Sequence, residues 1–185
     1  MLSIRRGTIS LIIAALTAMA LGAQTPNISG TWKLNESASA ADPGVVFSAL
    51  GGNAGIPMTL YVTQAKNGTV IIGSDMNTSH ARTYIPGAMS STPIGTGAVT
   101  VDSQWDGATL VAEGEDTASS SLIREELTLS TDGNTLTVTI TVTKEGVESS
   151  STLVYEKATA EAPCKEWPTP CKDWSANATP AGSSG

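Results

Sequence analysis

Between Gly30 and Lys157 apolar and polar residues alternate with a period of two, and Gly, Pro, Asn and Asp interrupt the alternation at short intervals. The clearest stretch is Thr135–Lys144, where Leu136, Val138, Ile140 and Val142 alternate with Thr135, Thr137, Thr139, Thr141 and Thr143. Successive side chains of a strand point to opposite faces, so this segment presents one apolar face and one threonine face. Val99, Val101, Ser103 and Trp105 share a face in the same way, as do Leu153 and Tyr155 on the last strand. Ile123, Leu127 and Leu129 share theirs with Glu125, an acid where the pattern expects an apolar residue.

The pattern predicts about nine strands: Gly30–Asn35, Met58–Lys66, Thr69–Met76, a short one over 81–86, Ala98–Trp105, Thr109–Glu115, Leu122–Ser130, Thr135–Lys144 and Glu148–Lys157. Asn67-Gly68, Asp106-Gly107, Thr131 to Asn134 and Glu145-Gly146 supply the hairpin turns. Residues 36–57 read as a long loop holding one helical turn around Val45 to Leu50, and a Ser/Thr/Gly/Pro loop follows Pro86-Gly87 to about Gly97. Sequential hairpins with one polar face predict an all-β, antiparallel up-and-down meander. Closing it into a barrel removes the exposed edges of an open sheet. The alternative is a two-sheet β-sandwich.

The two ends of the chain depart from this pattern. Arg5 and Arg6, the apolar, small-residue run from Ile9 to Ala23 and the cleavage frames Ala18-Met19-Ala20 and Leu21-Gly22-Ala23 have the order of a secretory signal peptide over 1–23, with the cut before Gln24 favoured. The apolar run is shorter than the roughly 20 residues a membrane span needs, so no integral span is expected after cleavage. Gln24 stands where a lipoprotein would carry Cys. The domain is expected over 24–158, and the Pro-rich stretch 159–185 as a disordered tail. That tail repeats Cys164-Lys165-Glu166-Trp167 as Cys171-Lys172-Asp173-Trp174. In an oxidising compartment Cys164 and Cys171 pair by default, closing a small loop. Trp167 and Trp174 would then serve as a docking element or lie back on the domain.

The 185-residue chain carries ten basic and seventeen acidic residues. Losing the leader removes Arg5 and Arg6 and leaves eight against seventeen, a balance of −9. That opposes nucleic acid and anionic membranes as partners, since both reward basic patches. A mature chain of this size can bury a core by itself, and a monomer is expected.

Candidate chemistry is sparse. His80 is the single histidine, with no Cys or acid at ligand spacing, so it reads as a solvated loop residue and no metal, haem or other cofactor is expected. No nucleophile elbow, HExxH, P-loop or GxGxxG stands in a suitable context, which makes an enzyme the remote reading. Glu113, Glu115 and Asp116 gather at a strand end; a solvated edge is the plain reading and weak calcium binding the sharper one. Asn27, Asn35, Asn67, Asn77 and Asn177 open N-x-S/T sequons. Glu125, if it faces inward, must be paired, hydrated or protonated, because an isolated buried carboxylate is costly.

Ile28-Ser29-Gly30-Thr31-Trp32-Lys33-Leu34-Asn35 resembles the opening of lipocalin-like (calycin) barrels, which carry Gly-x-Trp on their first strand. The hairpin from Arg124-Glu125-Glu126-Leu127 through Asp132-Gly133-Asn134-Thr135-Leu136 is similar to that of secreted bacterial lipocalin-like domains of uncharacterised function. The resemblance covers residues 28–158. It implies a lipocalin-like barrel with Trp32 plugging one end, and Arg124 is the candidate for the family's closing arginine.

Two functional expectations follow. The first is an exported, non-catalytic binding module that holds a small apolar or amphipathic molecule in a barrel mouth framed by Trp105, Tyr84, Tyr61 and Glu125. The alternative is a structural or interaction protein of the cell envelope. Its barrel would be filled, and it would dock through its surface or the Trp-bearing tail. Secretion or a periplasmic destination goes with either.

Overall fold

Ten antiparallel strands form one sheet in the computed structural model, which describes residues 25–42, 44–45, 55–74, 81–94 and 97–159. The leader, His80 and the tail with Cys164, Cys171, Trp167 and Trp174 lie outside the described residues, as does most of the helical turn expected from Val45 to Leu50. The strands are β1 (Gly30–Leu34), β2 (Thr59–Gln64), β3 (Val70–Ser74), β4 (Arg82–Tyr84) and β5 (Ala88–Ile94). They continue as β6 (Gly97–Asp106), β7 (Thr109–Asp116), β8 (Ser121–Leu129), β9 (Thr135–Lys144) and β10 (Val147–Thr159). Each consecutive pair except β4–β5 forms a ladder, and β1 also pairs with β10. The sheet therefore curls into a barrel whose two ends, β4 and β5, meet without a ladder.

That seam is held by side chains. The hydroxyls of Ser90 and Thr92 on β5 donate to the Thr83 carbonyl on β4, at 2.7 and 3.1 Å. β5 is the strand that the period-two pattern missed, because it occupies residues read as a Ser/Thr/Gly/Pro loop. Its inward positions are Ser90 and Thr92, so no apolar alternation marks it. Its Pro93 is tolerated because a strand at the end of a sheet has one side with no ladder to feed.

Register fixes the lining. Leu136, Val138 and Ile140 on β9 face Leu129, Leu127 and Glu125 on β8 and Tyr155, Leu153 and Ser151 on β10. Leu60, Val62, Val70, Ile72 and Leu110 complete the buried apolar interior. The opposite faces of β8 and β9 carry threonines and charges that remain part-exposed. The Asn67-Gly68 hairpin forms as expected, with Gly68 at φ +88°, a conformation glycine adopts without a Cβ penalty. Gly114 is needed for another reason: a Cβ there would come within 2.7 Å of the Thr100 carbonyl and 2.9 Å of Val99 and Val101.

The turns after β2, β4, β6 and β8 gather at one barrel end, together with the chain leading into β1. Trp32 fills this end. It is fully buried, its Nε1 donates to the Ile28 carbonyl at 3.0 Å, and Lys157 Nζ stands 5.0 Å from the ring centroid. The opposite end carries the β1–β2 connection. Asn35 caps a short 3-10 turn over Glu36–Ala38, and Ala40 then bridges Thr152 on β10. Asp42 N donates to Ser151 Oγ at 2.7 Å, and Val45 reaches the core.

Burial of Trp32 sets the first expectation. Trp32→Ala should cost about 3–5 kcal/mol, the scale of a large core aromatic. Trp105 differs, because it is only half-buried and its buried Nε1 has no partner. Trp105→Phe removes that orphan donor and should stay within about 1 kcal/mol of the parent. Urea unfolding of both variants measures the contrast.

Candidate functional site

Among the described residues Arg82 and Glu125 are the only buried charged side chains, and Ser90, Thr92, Ser103, Ser121 and Ser151 add buried hydroxyls. β4 presents Arg82 and Tyr84 inward because Thr83 between them faces out, toward the seam. β8 presents Glu125 inward between Arg124 and Glu126 for the same reason. Arg82 Nη1 donates to Glu125 Oε1, and the Tyr84 hydroxyl donates to Glu125 Oε2. Both side chains of the ion pair are almost completely buried, at 5% and 6% exposure. Around the barrel, β5, β6 and β7 lie between β4 and β8 on the side of the seam, so the contact crosses the lumen as a strut. Arg82 also lies 5.9 Å from the Tyr84 ring centroid.

The electrostatics follow from this geometry. Burial is the strongest influence on the Arg82 guanidinium and disfavours its charge. The Glu125 charge and hydrogen bond, with Tyr84, outweigh burial and hold its pKa above the ordinary value. Burial likewise pushes the Tyr84 phenol well above its ordinary value of 10.0; Arg82 opposes this and Glu125 adds to it.

The wall beneath the strut is made of small side chains. In register with Glu125 stand Ala112 on β7, Ser103 on β6 and Ala88 on β5. Ser103 is 1% exposed, and its Oγ has no hydrogen-bond partner. A buried hydroxyl left unpaired is costly, and native structures hold few.

Of the residues expected to frame one mouth, register brings Tyr84 and Glu125 into contact and leaves the others apart. Trp105 lies on the inner face of β6 in the next row, opposite Leu110, packed against the core near the Trp32 end. Tyr61 requires a correction. It alternates with the inward Leu60 and Val62, so it belongs to the outer wall and cannot share the lumen. Arg124 requires another. It lies on the outer face, is 45% exposed, and pairs there with Glu113 and with Glu126, the latter at 2.6 Å. It closes nothing, and it occupies the Glu113 carboxylate that the calcium reading would need. The arginine inside the barrel is Arg82. The signal that could have found it was its alternation with Tyr84 in Ala81-Arg82-Thr83-Tyr84, which places a cation on the inner face as surely as it places a phenol.

Two concavities border these elements. One, of about 420 Å³, opens at the end away from Trp32 between Asp42, Val45, Val142, Glu145 and Ser149. The other, of about 430 Å³, lies on the outer wall at Glu113, Leu122, Arg124, Thr143 and Glu148.

No protein-family model and no curated protein matches this chain. Solved structures do. Fatty-acid-binding protein 1 of Echinococcus granulosus aligns with a TM-score of 0.54 at 19% identity, over 71% of this chain and 97% of that one. The zebrafish ileal bile acid-binding protein, solved with cholic acid, aligns at 0.49 and 14% over 70% and 98%. Secretory abundant heat soluble protein 4 of Ramazzottius varieornatus aligns at 0.46 and 16% over 73% and 98%. The likeness to the first shows the fold: this is a calycin-type barrel of the fatty-acid-binding-protein shape.

The strut generates two expectations. Glu125→Ala leaves Arg82 buried without its partner and should cost about 3–5 kcal/mol. Replacing the cluster together, as Arg82→Met, Tyr84→Phe and Glu125→Leu, should recover most of that loss, because an apolar filling needs no compensating charge. Denaturant midpoints of the two proteins give the comparison. The second concerns pH. The folded state keeps the Tyr84 proton where the unfolded chain gives it up, so the folded state binds more protons above about pH 10 and stability falls as pH rises from there. A Tyr84→Phe variant should show a shallower alkaline loss in melting temperature from pH 9 to 11.

Proposed function

We propose that this chain is an exported, non-catalytic binding module that holds a small amphipathic molecule inside its barrel, with the polar end of that molecule against the Arg82–Tyr84–Glu125 cluster. The observation that carries the reading is a charged pair set across a mostly apolar lumen, with an unpaired buried hydroxyl at Ser103. A core built only for stability gains little from such a pair, since apolar side chains of similar volume serve equally well. Ligand sites, by contrast, combine apolar walls with a few placed polar groups. The likeness in fold to a barrel named for fatty acids agrees with this. Both Glu125 oxygens are engaged, by Arg82 and by Tyr84, which leaves the cluster no free base and supports a non-catalytic role. The leader over 1–23 supports export, to the periplasm or the medium.

Packing favours a second reading. Trp32, Leu60, Leu110, Leu127, Leu136, Ile140 and Leu153 are all less than 2% exposed, so this part of the lumen is filled by the protein's own side chains. A filled barrel would act as a structural or interaction protein of the envelope, meeting partners through its outer wall or its tail.

Organic extraction of the protein purified from its own source, followed by mass spectrometry, separates the two. A stoichiometric amphipathic molecule is the expected result, and N-terminal sequencing of the same material should start near Gln24. Repeated recovery of an empty protein that also binds no lipid-like probe would support the filled-barrel reading.

A further inference from the structure

The polar band has a donor–acceptor imbalance that specifies what it can receive. Glu125 accepts from Arg82 at one oxygen and from Tyr84 at the other, so each oxygen of the one acid already holds a donor. Donors are in surplus. A guanidinium carries five N–H groups, and among the described residues Arg82 finds no acceptor besides Glu125. Ser103 keeps its O–H without a partner. Ala112 and Ala88 flank Ser103 in the row, so the space beside its hydroxyl is bounded by methyl groups. Ser103 stands two strands from Glu125, about 10 Å along the sheet at the usual strand spacing. Arg82, Glu125, Val99, Val101 and Ile123 lie on the inner face around this wall and are buried but not fully so, at 4–6% exposure. Ala88 ends the row at the seam and is exposed.

Resting on the binding-module reading, we infer that the niche between the strut and the Ser103 wall takes an uncharged carbonyl group, such as the ester of an aliphatic chain, in preference to a carboxylate. A carbonyl oxygen accepts from the spare Arg82 N–H and from the Ser103 hydroxyl. A carboxylate would accept from the same donors, but it would add a second negative charge beside Glu125 in a medium where charges are poorly screened, and Arg82 can neutralise only one. The charge of the pocket is already balanced before any ligand arrives. The aliphatic tail would lie along Val99, Val101 and Ile123.

The test compares methyl decanoate with decanoic acid at pH 7.5, by displacement of Nile red from the full mature chain. The ester should bind at least ten-fold tighter than the acid. Glu125→Gln removes the competing charge at nearly constant shape and should tighten decanoate at least ten-fold, reversing the order. Ser103→Ala should weaken the ester several-fold while leaving the urea midpoint equal or higher, because it deletes an unpaired buried hydroxyl. This variant keeps the experiment decisive if Glu125→Gln does not fold. Tighter binding of the acid by the parent protein would overturn the carbonyl preference and leave the binding module standing. An unchanged ester affinity in Ser103→Ala would remove Ser103 from the site and overturn the niche. Failure of both molecules to displace the probe, or of the probe to bind, would overturn the binding reading itself.

Discussion

The ion pair between Arg82 and Glu125 is the contact around which the barrel is arranged. A charged pair in an apolar interior depends on the hydrogen bonds around it, and Arg82 and Tyr84 both donate to the Glu125 carboxylate. Tyr84 comes from the same strand, two residues on, and supplies the second donor to the carboxylate. β4 is only three residues long, yet it contributes two of the three members. Its neighbour β5 is tied to it by two hydroxyls rather than a ladder, so the cross-lumen strut is the stronger link between β4 and the far wall. The weakest seam of the sheet and its one buried charge cluster therefore occur at the same place.

This coincidence constrains both barrel ends differently. The end holding Trp32 is closed by an indole whose polar atom is satisfied locally by Ile28, so it can be dry and rigid. The other end is spanned by the β1–β2 connection, held to β10 by the Ala40–Thr152 bridge and the Asp42–Ser151 contact. A ligand that reached the polar band from that side would displace Val45 rather than the Trp32 plug.

How much of this was legible from the residues depends on which physical signal each element carried. β9 announced itself through unbroken alternation, and Asn67-Gly68 and Asp106-Gly107 through turn chemistry that few other dipeptides satisfy. The inward direction of Glu125 was equally plain, since it shares a face with Ile123 and Leu127. β5 was invisible because its inner residues are polar, and they are polar because they serve the seam. Arg82 was overlooked for a related reason: a lone arginine in a short segment reads as surface, and only its partner, 43 residues away in sequence, gives it a reason to be inside. Conversely, Arg124 lies near the acid of interest in sequence but on the wrong side of the strand. Alternation alone assigned it correctly to the outer wall, and only the analogy with a closing arginine suggested otherwise. Tyr61 failed the same parity check.

The missed partner of Glu125 has a cause of its own. Period-two reasoning predicts a side chain's face well but says nothing about which strands become neighbours across a lumen. Glu125 needed a cation, and the sequence offered several; curvature selected the one on a strand four places away around the barrel. Closing a sheet brings together residues that no ladder pairs, and the Arg82–Glu125 and Tyr84–Glu125 contacts are of that kind. Shape therefore decides the chemistry here more than composition does. The lining is mostly aliphatic, with Trp32, Tyr84, Trp105 and Tyr155 as its aromatic members, so specificity rests heavily on the few polar atoms. Those atoms form a set with its acid already spent and its donors left over, and that surplus is what a bound molecule would meet.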